Sequence, residues 1–284
     1  MPYRVPGLAT RDEAGGGGVT RAFTHATSVF LGRPALFVPF LLAGLVIVGV
    51  EQAMLADPVP VTTTESLTGP GVDLQLPYLP AEQRRVTTPL SALWGLKLRW
   101  LAERTLFAAV TTGTTALAGA VAVAGMYEGG LRPGLRALDR AAAARAVGYV
   151  VGFGLALVPV VALVLVAPIL VFPAFVLTLF VAVRLFVAFP LVARGESITT
   201  AVRTSWRRMG GYGISLAFFL LLLGVFGVSR QFGFFGGGLA TVLVGVPQIG
   251  TMTVLAYWTE PSDDAEEITD GTGGDGAAAA AGSV

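Results

Sequence analysis

The chain has no cysteine, one histidine (His25), one lysine (Lys97) and only 13% charged residues over 284 positions. Without cysteine there is no disulfide framework, no thiolate metal site and no thiol nucleophile. With His25 alone, clustered imidazole metal sites and Ser-His-Asp chemistry elsewhere in the chain have no imidazole to work with. A P-loop, an H-E-x-x-H helix and a G-x-S-x-G elbow are all missing. No enzyme activity and no cofactor is expected. A soluble domain typically carries about 25% charged residues. A chain with half that share would expose too much apolar surface to stay dispersed.

What is present is apolar: 54% of residues are hydrophobic and the mean hydropathy is +0.73. A bilayer core needs about 20 apolar residues in a helix. Six stretches meet that length, at about 34–55, 106–127, 146–167, 172–193, 211–229 and 234–258. The third and fourth are one apolar run divided at Pro168 and Pro173, because proline removes a helix donor and clashes with the preceding turn. The expected fold is therefore all-α. It is a polytopic membrane helix bundle of about six transmembrane helices, with amphipathic interfacial helices on the cytoplasmic side. The expected organisation is a flexible N-terminus over 1–17, a membrane domain over 18–259 with an extracytoplasmic loop at 56–105, and a disordered acidic tail over 260–284. The N-terminus lacks the apolar core of a cleavable signal peptide and carries Gly15–Gly18 instead.

Charge sets the expected orientation. Glu260, Asp263, Asp264, Glu266, Glu267, Asp270 and Asp275 put seven acids and no base in the tail, which leaves +8 on residues 1–259. Arg4, Arg11, Arg21 and Arg33 precede the first span; Arg132, Arg136, Arg140 and Arg145 follow the second; Arg194, Arg203, Arg207 and Arg208 follow the fourth. Six-span threading puts all three groups on one side, and the positive-inside rule makes that side cytoplasmic. The expected location is the cell membrane, multi-pass, with both termini in the cytoplasm.

Each basic segment carries an apolar stripe. Val19, Ala22, Phe23, Ala26 and Phe30 form one; Leu131, Leu135, Leu138, Ala142 and Ala146 a second; Ile198, Ala201, Val202, Ser205, Trp206 and Met209 a third. An amphipathic helix with a basic face lies well in the headgroup layer. Arg132, Arg136, Arg140, Arg203, Arg207 and Arg208 are thus candidates for a surface that meets anionic lipid or a protein partner. The partners expected are the bilayer and a membrane or cytosolic protein; no nucleic acid is implied. The stretch FPLVARGESITTAVRTSWRRMGGYG, with Gly195, Ala201, Arg203, Ser205 and Trp206, resembles a cytoplasmic motif of a broad group of multi-span prokaryotic membrane proteins. That group includes haloarchaeal families and the membrane domain attached to some glycerophosphodiester phosphodiesterases. The resemblance implies a bundle with a basic helix between spans. It carries over no catalytic residue, and the phosphodiesterase activity is not transferred.

Three residues are candidates for an intramembrane polar site. Arg184 falls about ten residues from the inner end of the fourth span, near 15 Å deep at about 1.5 Å per residue, where a guanidinium is costly. Glu51 lies near the outer end of the first span, too far along it for a direct pair with Arg184. Gln248 follows Pro247 in the sixth span, where an opened helix would present carbonyls to a pore and a plain kink would not. Thr111, Thr112, Thr114 and Thr115 suggest helix packing, as do the G-x-x-x-G pairs Gly148/Gly152 and Gly233/Gly237. His25 is expected on a polar surface. Two functions follow: a non-catalytic protein for scaffolding, membrane organisation or partner binding, or a transporter or channel subunit that uses Arg184, Gln248 and broken helices.

Overall fold

The computed structural model describes Leu8 and residues 18–63, 86–88, 96–231 and 235–260. The expectations for the rest of 1–17, most of the 56–105 loop, Gly233 and the acidic run beyond Glu260 lie outside these residues. The elements are α1 (Val19–Gly32), α2 (Val38–Ala56), β1 (Thr62–Thr63), β2 (Val86–Thr87), α3 (Leu98–Tyr127), α4 (Leu131–Ala137), α5 (Arg140–Val166), α6 (Val171–Arg184), α7 (Ala188–Ala193), α8 (Ile198–Arg208), α9 (Gly213–Phe226) and α10 (Gly236–Trp258). The two strands pair antiparallel, Thr62 opposite Thr87 and Thr63 opposite Val86. They draw together the two described ends of the first loop.

Among the described residues, five helical segments are long and apolar enough to cross a membrane: Pro34–Ala56, Leu98–Tyr127, Arg140–Val164, Ile198–Ser229 and Gly236–Trp258. The chain is an all-α bundle of membrane type. The span expected over 172–193 is not a single rod. It consists of α6, a turn at residues 185–187, and the short α7. Pro190 accounts for the break, because its ring in a continued helix would meet the carbonyl of Phe186. The chain tightens instead, with Phe186 N–H donating to Val183 O and Ala188 N–H to Leu185 O. Pro39 and Pro173 cause no such break, since each stands in the first turn of its helix, where the donor is not needed.

The centre is α10. In its apolar window 78% of residues are buried, against 17% in α5. Helices α1, α2, α3, α7 and α9 pack around it. Phe40 of α2 lies on Gly245, and Ala26 and Phe30 of α1 lie on Gly250. The apolar stripe of α1 is therefore spent on protein: Val19, Ala22, Ala26, Val29 and Phe30 are buried. This corrects the expectation that α1 rests its apolar face in lipid. In hydrocarbon an apolar face gains little from leaving lipid, so the close fit of small residues holds such a contact.

The stripe from Leu131 to Ala146 is not continuous either. Leu138 and Asp139 are extended between α4 and α5, and Leu135 is 52% exposed. Gly134 causes this by sitting against the backbone of Gly125, which pins α4 to the end of α3. Helix α8 keeps the expected stripe in part: Ala201, Ser205 and Met209 are buried, while Trp206 stays exposed.

Both described ends of the chain meet at one end of the bundle, where the His25 and Trp258 rings stack 6.1 Å apart. The end of α3, the start of α5, and α7 gather at this same arginine-rich end. The opposite end holds the strand pair and a buried ion pair, Arg104 Nη2 to Asp57 Oδ2 at 2.8 Å.

Candidate functional site

The described part of the arginine-rich end contains a recess of about 430 Å³. Four elements form it, the end of α4 supplying Ala137. Tyr127 and Glu128 close α3, Asp139 and Arg145 open α5, and Arg194 and Gly195 follow α7. The turn after α7 needs Gly195, whose φ is +103°, a region that side chains with a Cβ avoid. That turn aims the Gly195 carbonyl at Arg145, whose Nη1 donates to it while Nε donates to Ala141 O at 3.1 Å. The Arg145 side chain is thereby fixed along the recess wall.

Arg194 is held from two sides. Its guanidinium lies 4.4 Å from the centre of the Tyr127 ring and pairs with the carboxylate of Glu260, two residues past α10. Burial alone would lower the Arg194 pKa; the Tyr127 and Glu260 oxygens and the Glu196 carboxylate outweigh it and hold the pKa above its ordinary value. Tyr127 is itself buried, and among the described residues its hydroxyl proton has no acceptor. Asp139 caps α5 by position only, since its side chain makes no capping bond. The first-turn N–H groups of a long helix, which favour anions, thus face this region without a side-chain acceptor from Asp139. Chemically, the recess offers two guanidiniums, a helix N-terminus and a rim of two carboxylates. Among the described residues, no three His, Asp or Glu side chains come together as a metal site would require.

The candidate intramembrane residues do not form one site. Arg184 ends α6 rather than standing inside a continuous span, because the break before Pro190 comes immediately after it. Its Nη1 donates to Trp206 O at 3.3 Å, and its carbonyl accepts from the Ser205 hydroxyl at 2.8 Å. Its guanidinium stands 5.3 Å from the Phe180 ring and 5.7 Å from the Trp206 ring. Arg184 thus joins the ends of α6 and α8. Glu51 is buried at the other end of the bundle, where Oε1 accepts from Val86 N–H of β2 at 3.4 Å. Gln248 is fully buried in α10. The helix runs through Pro247 unopened, and the Thr251 hydroxyl donates to the Pro247 carbonyl. Thr111, Thr114 and Thr115 donate to carbonyls of their own helix, as packing hydroxyls do.

Arg132, Arg136 and Arg140 are exposed at the α4–α5 corner, and Arg203 and Arg207 are exposed on α8, while Arg208 is half-buried. Sequence reading counts Arg145 and Arg194 only as orientation signals and does not single out Tyr127 or Glu260. One signal pointed at the recess: Arg194-Gly195 inside the FPLVARGES stretch, a charge beside a turn residue after an apolar run.

His25 is half-buried rather than on a polar surface. Burial holds its pKa below the ordinary 6.5, so the folded protein favours the neutral ring while the unfolded chain still takes a proton near that value. Stability is then complete above about pH 6.5 and falls as the pH drops through it, levelling off below the folded pKa. Thermal melting in detergent between about pH 7.5 and 5.5 should show the loss, and His25→Gln should flatten it. An unchanged slope in that variant would assign the effect elsewhere.

Comparison with protein-family descriptions, with curated proteins and with solved structures gives no match for this chain.

Proposed function

We propose that this is a non-catalytic multi-pass protein of the cell membrane. Its arginine-rich end faces the cytoplasm, where it organises anionic lipid or a protein partner. One observation carries the reading: exposed Arg132, Arg136, Arg140, Arg203 and Arg207 share the end of the bundle where α1 meets the end of α10. Each arginine held near an anionic surface contributes about 1 kcal/mol. The positive-inside rule makes that face cytoplasmic and puts both ends of the described chain there. The haloarchaeal-type resemblance in the Phe189–Gly213 stretch agrees with such a layout.

The transporter reading loses support from the same geometry. Arg184 and Glu51 lie at different ends of the bundle, and Gln248 is packed in its central helix. The absence of cysteine allows a direct test. Arg207→Cys should react with a membrane-impermeant thiol reagent only once the reagent reaches the cytoplasm. Gln248→Cys should stay protected from both sides. Reaction of the cysteine at 248 would restore the transporter; reaction of that at 207 from outside intact cells would reverse the topology.

A further inference from the structure

We propose that the Arg145–Arg194 recess is a binding site for a phosphate ester that also carries a hydroxyl or ammonium group. In this assignment Glu260 is a built-in competitor for the phosphate. Glu260 shows what Arg194 accepts: the guanidinium already holds a carboxylate supplied by the chain itself. A phosphate offers more acceptor oxygens than a carboxylate and suits the planar donor set of arginine. Arg145 also lines the recess, with Nε and Nη1 held by the Ala141 and Gly195 carbonyls. The N-terminus of α5 adds the favourable end of a 27-residue helix, with no side-chain capping bond from Asp139.

An independent observation points to a missing acceptor. Tyr127 is 92% buried against the Arg194 guanidinium, yet among the described residues its hydroxyl proton has no acceptor. A phosphate oxygen taking the place of Glu260 would meet the guanidinium that lies against the Tyr127 ring. Glu128 and Asp139 on the rim exclude a bare polyanion and suit a ligand whose other end donates hydrogen bonds. The recess volume of about 430 Å³ falls within the range of roughly 300–1,000 Å³ usual for small-molecule sites. Glycerol phosphate has this chemistry, whether free or as the headgroup of a lipid. The exposed arginines of the docking face take no part, so failure of this assignment leaves the topology reading intact.

The test titrates glycerol phosphate into the full-length protein in detergent by calorimetry. Saturable binding is expected. Glu260→Gln should tighten it by about fivefold or more, because the internal competitor is gone. Arg194→Gln should weaken it at least about tenfold, and Tyr127→Phe by a smaller factor. Arg99→Gln, exposed at the start of α3 at the opposite end of the bundle, should leave it unchanged. The gain in Glu260→Gln is decisive, since misfolding does not produce tighter binding. Repeating the titration in phosphatidylglycerol and phosphatidylcholine nanodiscs separates the sources. Blocked binding in phosphatidylglycerol alone identifies a lipid headgroup; equal binding in both identifies a soluble ester. No saturable binding to either form, or binding that Glu260→Gln and Arg194→Gln leave untouched, overturns the proposal.

Discussion

Gly238→Val should destabilise the bundle by about 3 kcal/mol, among the larger costs of overpacking. Helices α2 and α10 cross with their backbones almost in contact. A Cβ on Gly238 would lie 2.8 Å from the Gly44 carbonyl oxygen and 2.9 Å from Val48 Cγ2; one on Gly44 would lie 2.9 Å from the Gly238 oxygen. The obstacles are mostly backbone atoms, so no side chain can swing aside. In a bilayer, lipid solvates apolar helices as well as a neighbouring helix does, and close packing is what keeps the helices together. Losing this contact therefore removes the attraction itself. Gly152→Ala on α5 is the matched control, because nothing lies within 4 Å of that position. It should be neutral, or gain up to about 1 kcal/mol from the better helix propensity of alanine. Reversible unfolding in mixed micelles measures both. If the two variants unfold alike, α2 and α10 are not held by this crossing.

Asp57→Leu should cost about 3–5 kcal/mol, the usual penalty for leaving one charge of a buried pair alone. The Arg104 and Asp57 side chains are only 6% and 5% exposed. Among the described residues Arg104 Nε and Nη1 are buried without hydrogen-bond partners, so Asp57 supplies the hydrogen-bonded compensation seen for this guanidinium. Arg104→Met alone should destabilise by a comparable amount, because it strands the carboxylate. The double variant Asp57→Leu with Arg104→Met should recover much of the loss, since a well-packed apolar pair can equal a buried ion pair. Unfolding free energies of the four proteins in the double-mutant cycle give the coupling. Additive losses would mean that the two residues act independently.

Both predictions rest on contacts that the sequence does not display. The G-x-x-x-G pattern at Gly148/Gly152 suggests close helix approach, yet both positions face open space. The close approach occurs at Gly44, which stands in no such repeat, against Gly238. A glycine spacing states only that a helix can be approached. Which helix approaches depends on partners distant in the chain. The same limit explains the amphipathic stripes. Periodicity in α1 separates an apolar from a polar face, but lipid and α10 are equally acceptable to an apolar face, so the pattern does not choose between them.

Arg184 shows a different limit. Its position in an apolar run implies a costly charge deep in a span. The cost largely disappears once Pro190 ends the helix and α8 folds back, bringing the Trp206 carbonyl and two aromatic rings within reach. Pro190 was visible in the sequence, and its consequence for Arg184 was derivable; the return of α8 was not.

Composition alone established a helical bundle made for hydrocarbon, because a chain with so few charges and so many apolar runs has no other stable solvent. The order of those runs and the arginine groups between them set the expected threading. Folding settled which rods touch, where the fourth apolar segment breaks, and which side chains converge on Arg194. These are contacts between residues such as Tyr127, Arg145 and Glu260, which lie far apart in the chain. Hydropathy is a property of each segment taken alone, whereas a recess exists only where several segments meet.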